Sequence, residues 1–198
     1  MKKKLIIVLL ILVIIYSVGG IAYYYMSKTT KPVIKNISSI KHYPYNLKSN
    51  ATKLMKDEFK ILKDNLESDN IDEESYAASI AKLFIIDLYT INNKINKYDI
   101  ETQYIYPDAI DNYKLNVTNT LYKYVESKET KKRNQILPEV TKVTIEKQEP
   151  IEFEINKKTY PGYMINLIIE YLKDLDYDNT SEVIVIEKDN IYYIAEKK

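Results

Sequence analysis

The sequence predicts an α+β fold: an N-terminal transmembrane helix, then three helices packed on an antiparallel sheet of four to five strands. Three observations indicate this order. An uncharged apolar run extends from Leu5 to Met26. Apolar residues then recur at helical spacing between residues 50 and 127, and at a spacing of two after residue 138. Helices grouped before strands are typical of α+β domains, in which the helices cover one face of the sheet.

The run at residues 5–26 is long enough for a transmembrane helix, since about 20 residues cross the bilayer core. Lysines precede the run and tyrosines end it, as in many membrane spans. These flanking residues are Lys2, Lys3, Lys4, Tyr23, Tyr24 and Tyr25. The positive-inside rule makes residues 1–4 a cytoplasmic tail and puts the rest of the chain outside. A cleaved signal peptide is the alternative, because secretory signals share the charged start and the apolar run.

Residues 27–49 are predicted to be a linker between this span and an extracytoplasmic domain of residues 50–198. They contain Pro32, Pro44 and scattered polar residues, and they show no sustained periodicity.

Three helices are expected in the first part of the domain. The first is predicted at residues 50–68 with Asn50 as its N-cap, and the second, the most apolar, at residues 72–98. The third is expected to begin at Pro107, because proline suits a first helical turn that needs no N–H donor.

Strands are predicted after Pro138. The stretch "IEFEINK" alternates apolar and acidic residues, and "YMINLIIEYLK" and "EVIVIEKDNIYYIAEKK" continue the period of two. Gly162 in "TYPG" is predicted to form a turn with positive φ. A second turn, at residues 188–190, is expected to close a C-terminal hairpin.

Composition excludes several classes of function. The chain has no cysteine, which excludes disulfides, thiolate metal sites and cysteine nucleophiles. A net charge of +1 gives no sign of a nucleic-acid-binding surface. The single histidine, His42, lies in the predicted linker. The acidic stretch at 174–182 has oxygen ligands at 174, 176 and 178, as an EF-hand loop begins, but it lacks the required glycine, where Asn179 stands, and the flanking helices. This stretch and the one at 69–74 are therefore predicted to be solvated turns. We therefore expect no metal site, no cofactor and no nucleic-acid partner.

The element order resembles the nuclear-transport-factor-2-like, or cystatin-like, cone fold. The resemblance covers residues 50–198, from the helices between Asn50 and Ser127 to strands that end in "VIVIEKDNIYYIAE". It implies a curved antiparallel sheet that wraps around the helices. With a span in front, the layout is similar to inner-membrane scaffold subunits of type IV secretion and conjugation systems, and to uncharacterised exported proteins of low-GC bacteria. The resemblance implies no functional residue, since this fold hosts enzymes, binders and scaffolds.

Asp87 is the main candidate for chemistry, because it interrupts the apolar stretch "KLFIIDLYTIN". A buried carboxylate can be a general base or a ligand contact, and Tyr89 and Tyr113 would then line the same pocket. The structural alternative is that Asp87 only accepts hydrogen bonds from tyrosine, lysine or backbone groups, which its burial would require in any case.

Three functions follow. The first is a non-catalytic, membrane-anchored interaction or scaffold module, held in the bilayer through residues 5–26 and bound to other envelope proteins. The second is a small-molecule-binding cone, possible also as a secreted protein. The third is an enzyme with Asp87 as its base. The absence of a catalytic motif favours the first.

Overall fold

The computed structural model describes residues 34–129 and 133–198. The predicted tail, span and flanking lysines and tyrosines of residues 1–26 lie outside these residues. Within the described ranges, no helix has the length and apolar character needed to cross a membrane.

The described chain is an α+β domain with three α-helices and a four-stranded antiparallel sheet, which confirms the predicted class. A separate two-stranded hairpin precedes the helices. The helices are α1 (Lys53–Leu66), α2 (Glu73–Tyr89) and α3 (Ile110–Asn119). The strands are β1 (Asn36–Ser39), β2 (Asn46–Lys48), β3 (Val140–Ile155), β4 (Lys158–Tyr171), β5 (Thr180–Lys188) and β6 (Ile191–Lys197). Strands β3 to β6 are neighbours in chain order, each antiparallel to the next.

The linker prediction is wrong for residues 34–49. Strands β1 and β2 pair there, and Ile40, Tyr45 and Leu47 are buried in the main hydrophobic core. The sequence hides this because a hairpin of short strands is too brief to establish a period. The compact unit therefore begins by Ile34, and a fragment starting at Asn50 would lack part of its core.

Helix ends also differ from the predictions. Thr52, rather than Asn50, caps α1 by accepting a hydrogen bond from the N–H of Met55 at 3.3 Å. Helix α2 ends at Tyr89 instead of residue 98, and a short 3₁₀ turn, Ile91–Asn93, follows. Asparagine favours such turns because its side chain competes for local backbone groups.

Arg133 stabilises this early helix end. Its guanidinium donates hydrogen bonds to the carbonyl oxygens of Asn92 at 2.6 Å and Lys94 at 3.1 Å. Lys128 Nζ also donates to the carbonyl oxygen of Asn92, at 2.6 Å, so two cations bind the backbone oxygens left where the helix stops.

The sheet turns where two consecutive residues have positive φ. Asn156 and Lys157 connect β3 to β4, and Asp189 and Asn190 connect β5 to β6 as predicted. Gly162 is not a turn residue. It lies inside β4, where an added Cβ would be 2.0 Å from the carbonyl oxygen of Val185. Glycine is needed there for close strand approach, not for positive φ.

Helix α2 is central, as its apolar sequence predicted. Most residues from Tyr76 to Tyr89 are buried, and the helix contacts α1 and all four strands of the sheet. A helix that is apolar all round needs neighbours on every side.

The outer edge of β6 is covered by tyrosine hydroxyls and by one loop. Tyr45 Oη donates to the carbonyl oxygen of Tyr192 at 2.7 Å, and the N–H of Tyr192 donates to Tyr76 Oη at 3.3 Å. The two hydroxyls are 2.8 Å apart. Next along the strand, the N–H of Ile194 donates to the carbonyl oxygen of Tyr104 at 2.6 Å. These contacts satisfy backbone groups that another strand would otherwise pair.

We expect Tyr45→Phe to lower the free energy of unfolding by about 1–3 kcal/mol, because it leaves the buried carbonyl of Tyr192 without its donor. Urea denaturation of the 34–198 domain measures this. Tyr43→Phe is the matched control: its ring packs on Tyr45 and Tyr76, but its hydroxyl bonds to no described residue. The control should change stability by less than about 0.5 kcal/mol, and equal losses in both variants would contradict the capping role.

Candidate functional site

Asp87 forms a buried ion pair with Lys94. The Asp87 carboxylate is 2.6 Å from Lys94 Nζ, and the two residues are 8% and 4% exposed. Burial raises the pKa of the Asp87 carboxyl, and the Lys94 ammonium opposes that rise in part. Lys94 Nζ also lies 5.9 Å from the centre of the Tyr122 ring. The expected hydrogen-bond partner of Asp87 is therefore a lysine seven positions along the chain.

A second charged layer closes this region. Lys48 of β2 pairs with Glu101 at 2.9 Å and approaches Asp99 at 4.0 Å. The cavity between these groups and Asp87 has a volume of about 20 Å³, room for about one water molecule. A carboxylate enclosed in this way has an electrostatic partner but no space for a substrate.

A larger cleft lies between α2, α3 and the outer edge of β6. Its volume is about 460 Å³. Most of its wall is apolar, and several of the wall residues are themselves buried in the core. The apolar wall includes Phe84, Leu88, Ile105, Val117, Leu121 and Ile194.

Helical periodicity builds two sides of this cleft. On α3, Tyr113 and Val117 are four residues apart and lie in one row, and Leu121, in the turn after the helix, continues the apolar wall. The neighbouring row, Asn112, Asn116 and Thr120, supplies polar groups. On α2, the row of Phe84 and Leu88 faces the same space.

The structure separates the three predicted pocket residues. Tyr89 and Tyr113 line the 460 Å³ cleft, whereas Asp87 belongs to the adjacent helical row with Leu83 and faces the small cavity near β2. Side chains two residues apart on an α-helix point to nearly opposite sides of it, about 200° apart. Asp87 and Tyr89 therefore face different cavities although they are close in sequence.

The two tyrosines leave polar groups available at the cleft. The Tyr113 ring is 6.0 Å from the Phe84 ring, and the Tyr89 ring is 6.3 Å from that of Tyr171. Neither the Tyr89 nor the Tyr113 hydroxyl bonds to another residue within 34–129 or 133–198. Burial raises the pKa of Tyr113, so its phenol stays protonated and can donate.

Lys197 is a cleft residue that sequence reasoning missed. Simple alternation along "IYYIAEK" puts Lys197 on the face opposite Tyr192 and Ile194. The register of β6 slips by one residue at Ala195, so that Lys197 pairs with Val183 and joins the helix-facing side. Its Nζ lies 5.6 Å from the centre of the Tyr89 ring. No sequence signal marks this β-bulge.

The remaining candidates form no site. His42 is exposed on the turn between β1 and β2. Across the described part of the chain, no group of three or more histidine, aspartate or glutamate side chains is arranged to hold a metal ion.

We expect Asp87→Asn to destabilise the domain by about 3–5 kcal/mol, because it leaves the Lys94 ammonium buried without a counter-charge. Asp87→Leu combined with Lys94→Met should recover most of that loss, since apolar pairs replace buried ion pairs at little cost. Urea denaturation at pH 7 measures both. Glu170→Gln, in the exposed Lys142–Glu170 pair at 2.7 Å, is the control and should cost at most about 1 kcal/mol.

The pH dependence of the free energy of unfolding tests whether Asp87 is desolvated. In Lys94→Met the burial-raised pKa of Asp87 is unopposed, so the folded state keeps a proton that the unfolded chain loses near pH ~4. The unfolded-state pKa is the same in variant and parent, so the stability of the variant relative to the parent should fall once the pH rises past the folded-state pKa of Asp87 in the parent, which burial already raises. A flat difference would show that Asp87 is not desolvated.

Comparison with known proteins leaves function to be argued from this geometry. No family model, no curated protein and no solved structure matches the chain. The α+β class stands on the described structure, and the resemblance to the nuclear-transport-factor-2-like fold stays a prediction.

Proposed function

We propose that this chain is a non-catalytic binding protein of the cell envelope whose cleft between α2, α3 and β6 takes a small ligand. The observation that carries the proposal is the cleft itself. Its volume of about 460 Å³ falls within the 300–1,000 Å³ typical of ligand sites. Apolar walls with a few polar groups are the usual composition of such sites.

The surroundings of Asp87 support binding rather than catalysis. A general base must come within hydrogen-bonding distance of the proton that it removes. Asp87 is paired with Lys94, and the 20 Å³ cavity beside it is too small for a substrate. Asp87 does not line the 460 Å³ cleft.

The membrane anchor is the second part of the proposal. Residues 5–26 hold the protein in the cell membrane as a single span, with residues 1–4 in the cytoplasm and the domain outside. Because β1 and β2 belong to the domain, only residues 27–33 are left of the predicted linker.

A scaffold role with other envelope proteins is a second candidate, favoured by the open edge of the sheet. Strand β3 is 16 residues long and, among the described residues, pairs only with β4. An unpaired edge can accept a strand from a partner. Lys142, Lys147 and Pro150 interrupt this edge, as do its two register shifts, so only short stretches are suited to pairing.

We expect Asn116→Trp to abolish binding of N-phenylnaphthylamine, a neutral dye that fluoresces in apolar sites, to the 34–198 domain. Asn116 is an exposed residue at the cleft, so the indole fills the space without disturbing the core. Asn119→Trp, also exposed on α3 but outside the cleft, is the control and should bind the dye like the parent. No dye binding to the parent, or equal loss in both variants, would contradict a binding cleft.

The anchor predicts that a C-terminal alkaline phosphatase fusion of the full chain is active and sediments with membranes. Deletion of residues 5–26 should leave the fusion inactive in the cytoplasm, because the reporter needs export. Activity released into the medium would instead indicate a cleaved signal peptide. An inactive full-length fusion would contradict the outside placement of the domain.

A further inference from the structure

We propose that the cleft binds an aliphatic carboxylate, with the hydrocarbon chain on the apolar walls and the carboxylate at Lys197. This inference rests on the proposed binding cleft and names the class of its ligand. The ligand is then a free fatty acid, an amphiphile with one acidic head.

The positive charge at the cleft is the first argument. Lys197 faces the helices because β6 slips in register at Ala195, and its Nζ lies over the Tyr89 ring. Among the described residues it pairs with no side-chain carboxylate. Its one hydrogen bond, 3.4 Å long, goes to the backbone carboxyl oxygen of Lys198, the last residue of the sequence. A carboxylate ligand in the cleft would replace this long contact with a shorter charge-assisted one.

The carboxylate nearest to Lys197 in the sequence, that of Glu196, points away from the helix-facing side of the sheet. Glu196 also borders the cleft, but pairing with Ile184 puts the Glu196 side chain on the opposite face of the sheet from Lys197. Lys198 is paired with Glu182 at 3.0 Å. The side-chain charge that faces the cleft is therefore the positive charge of Lys197, which favours binding of an anion over a cation.

The walls select the rest of the ligand. Phe84, Leu88, Val117 and Ile194 present apolar surface whose burial against a hydrocarbon chain is favourable. The hydroxyls of Tyr89 and Tyr113 add donors that suit a carboxylate oxygen.

Photo-cross-linking of the full chain in phosphatidylcholine nanodiscs tests the proposal. The probe is dodecanoic acid with a diazirine in its chain, and its neutral counterpart is the corresponding dodecyl alcohol. We expect adducts at cleft residues, displaced by unlabelled dodecanoate. Lys197→Gln should reduce labelling by the acid roughly tenfold, the loss of one charge-assisted contact. Lys197→Arg should restore it, and the adjacent Lys198→Gln should leave it unchanged.

Other outcomes would reject either the carboxylate ligand alone or the binding cleft as well. Equal cleft labelling by acid and alcohol, unaffected by Lys197→Gln, would leave the binding cleft standing and remove the carboxylate. Stronger displacement by dodecyl phosphate than by dodecanoate would assign the site to a phosphate head. An equal loss of acid labelling in Lys197→Gln and Lys198→Gln would reject Lys197 as the partner of the carboxylate. Adducts outside the cleft for both probes would reject the ligand class together with the binding cleft.

Discussion

The structure depends on the hydrogen bonds that pair the backbone N–H and C=O groups on the outer edge of β6. Strand β6 ends the sheet, and its outward backbone groups would be open to water or to another chain. The hydroxyls of Tyr45 and Tyr76 bond to Tyr192, and the loop at residues 104–106 bonds to Ile194. One consequence is that the N-terminal hairpin, the central helix and the last strand form a single packed unit.

The cleft begins where this cover ends. Beyond Ile194 the edge of β6 meets no further strand in the described structure, and α3 stands across from it. Core residues such as Phe84 and Val117 thus remain in contact with an open space. The bulge at Ala195 lies at the same point and turns Lys197 toward that space. Cleft shape and cleft charge therefore have a common origin in the last strand.

The row of α2 next to the cleft-facing row carries a buried ion pair. Asp87 and Lys94 neutralise each other in an enclosed region, and Lys48 with Glu101 covers them. Such a pair adds little net stability relative to apolar residues, but removal of one partner is costly. This makes Asp87 a structural residue in its contacts, although its position in an apolar helix is what first suggests chemistry.

The sequence by itself determined the α+β class, the central helix and the turn at Asp189–Asn190, because hydrophobic period and turn residues are local properties. It also predicted one pocket for Asp87, Tyr89 and Tyr113, whereas Asp87 faces a different cavity from the two tyrosines. Only the tertiary structure decided that β1 and β2 belong to the core, since Tyr45 is buried by partners far away in the chain. The same holds for the Asp87–Lys94 pair and for Lys197, whose direction depends on a register slip between two strands. Pairing partners and bulges are set by contacts between distant segments, which no local pattern encodes.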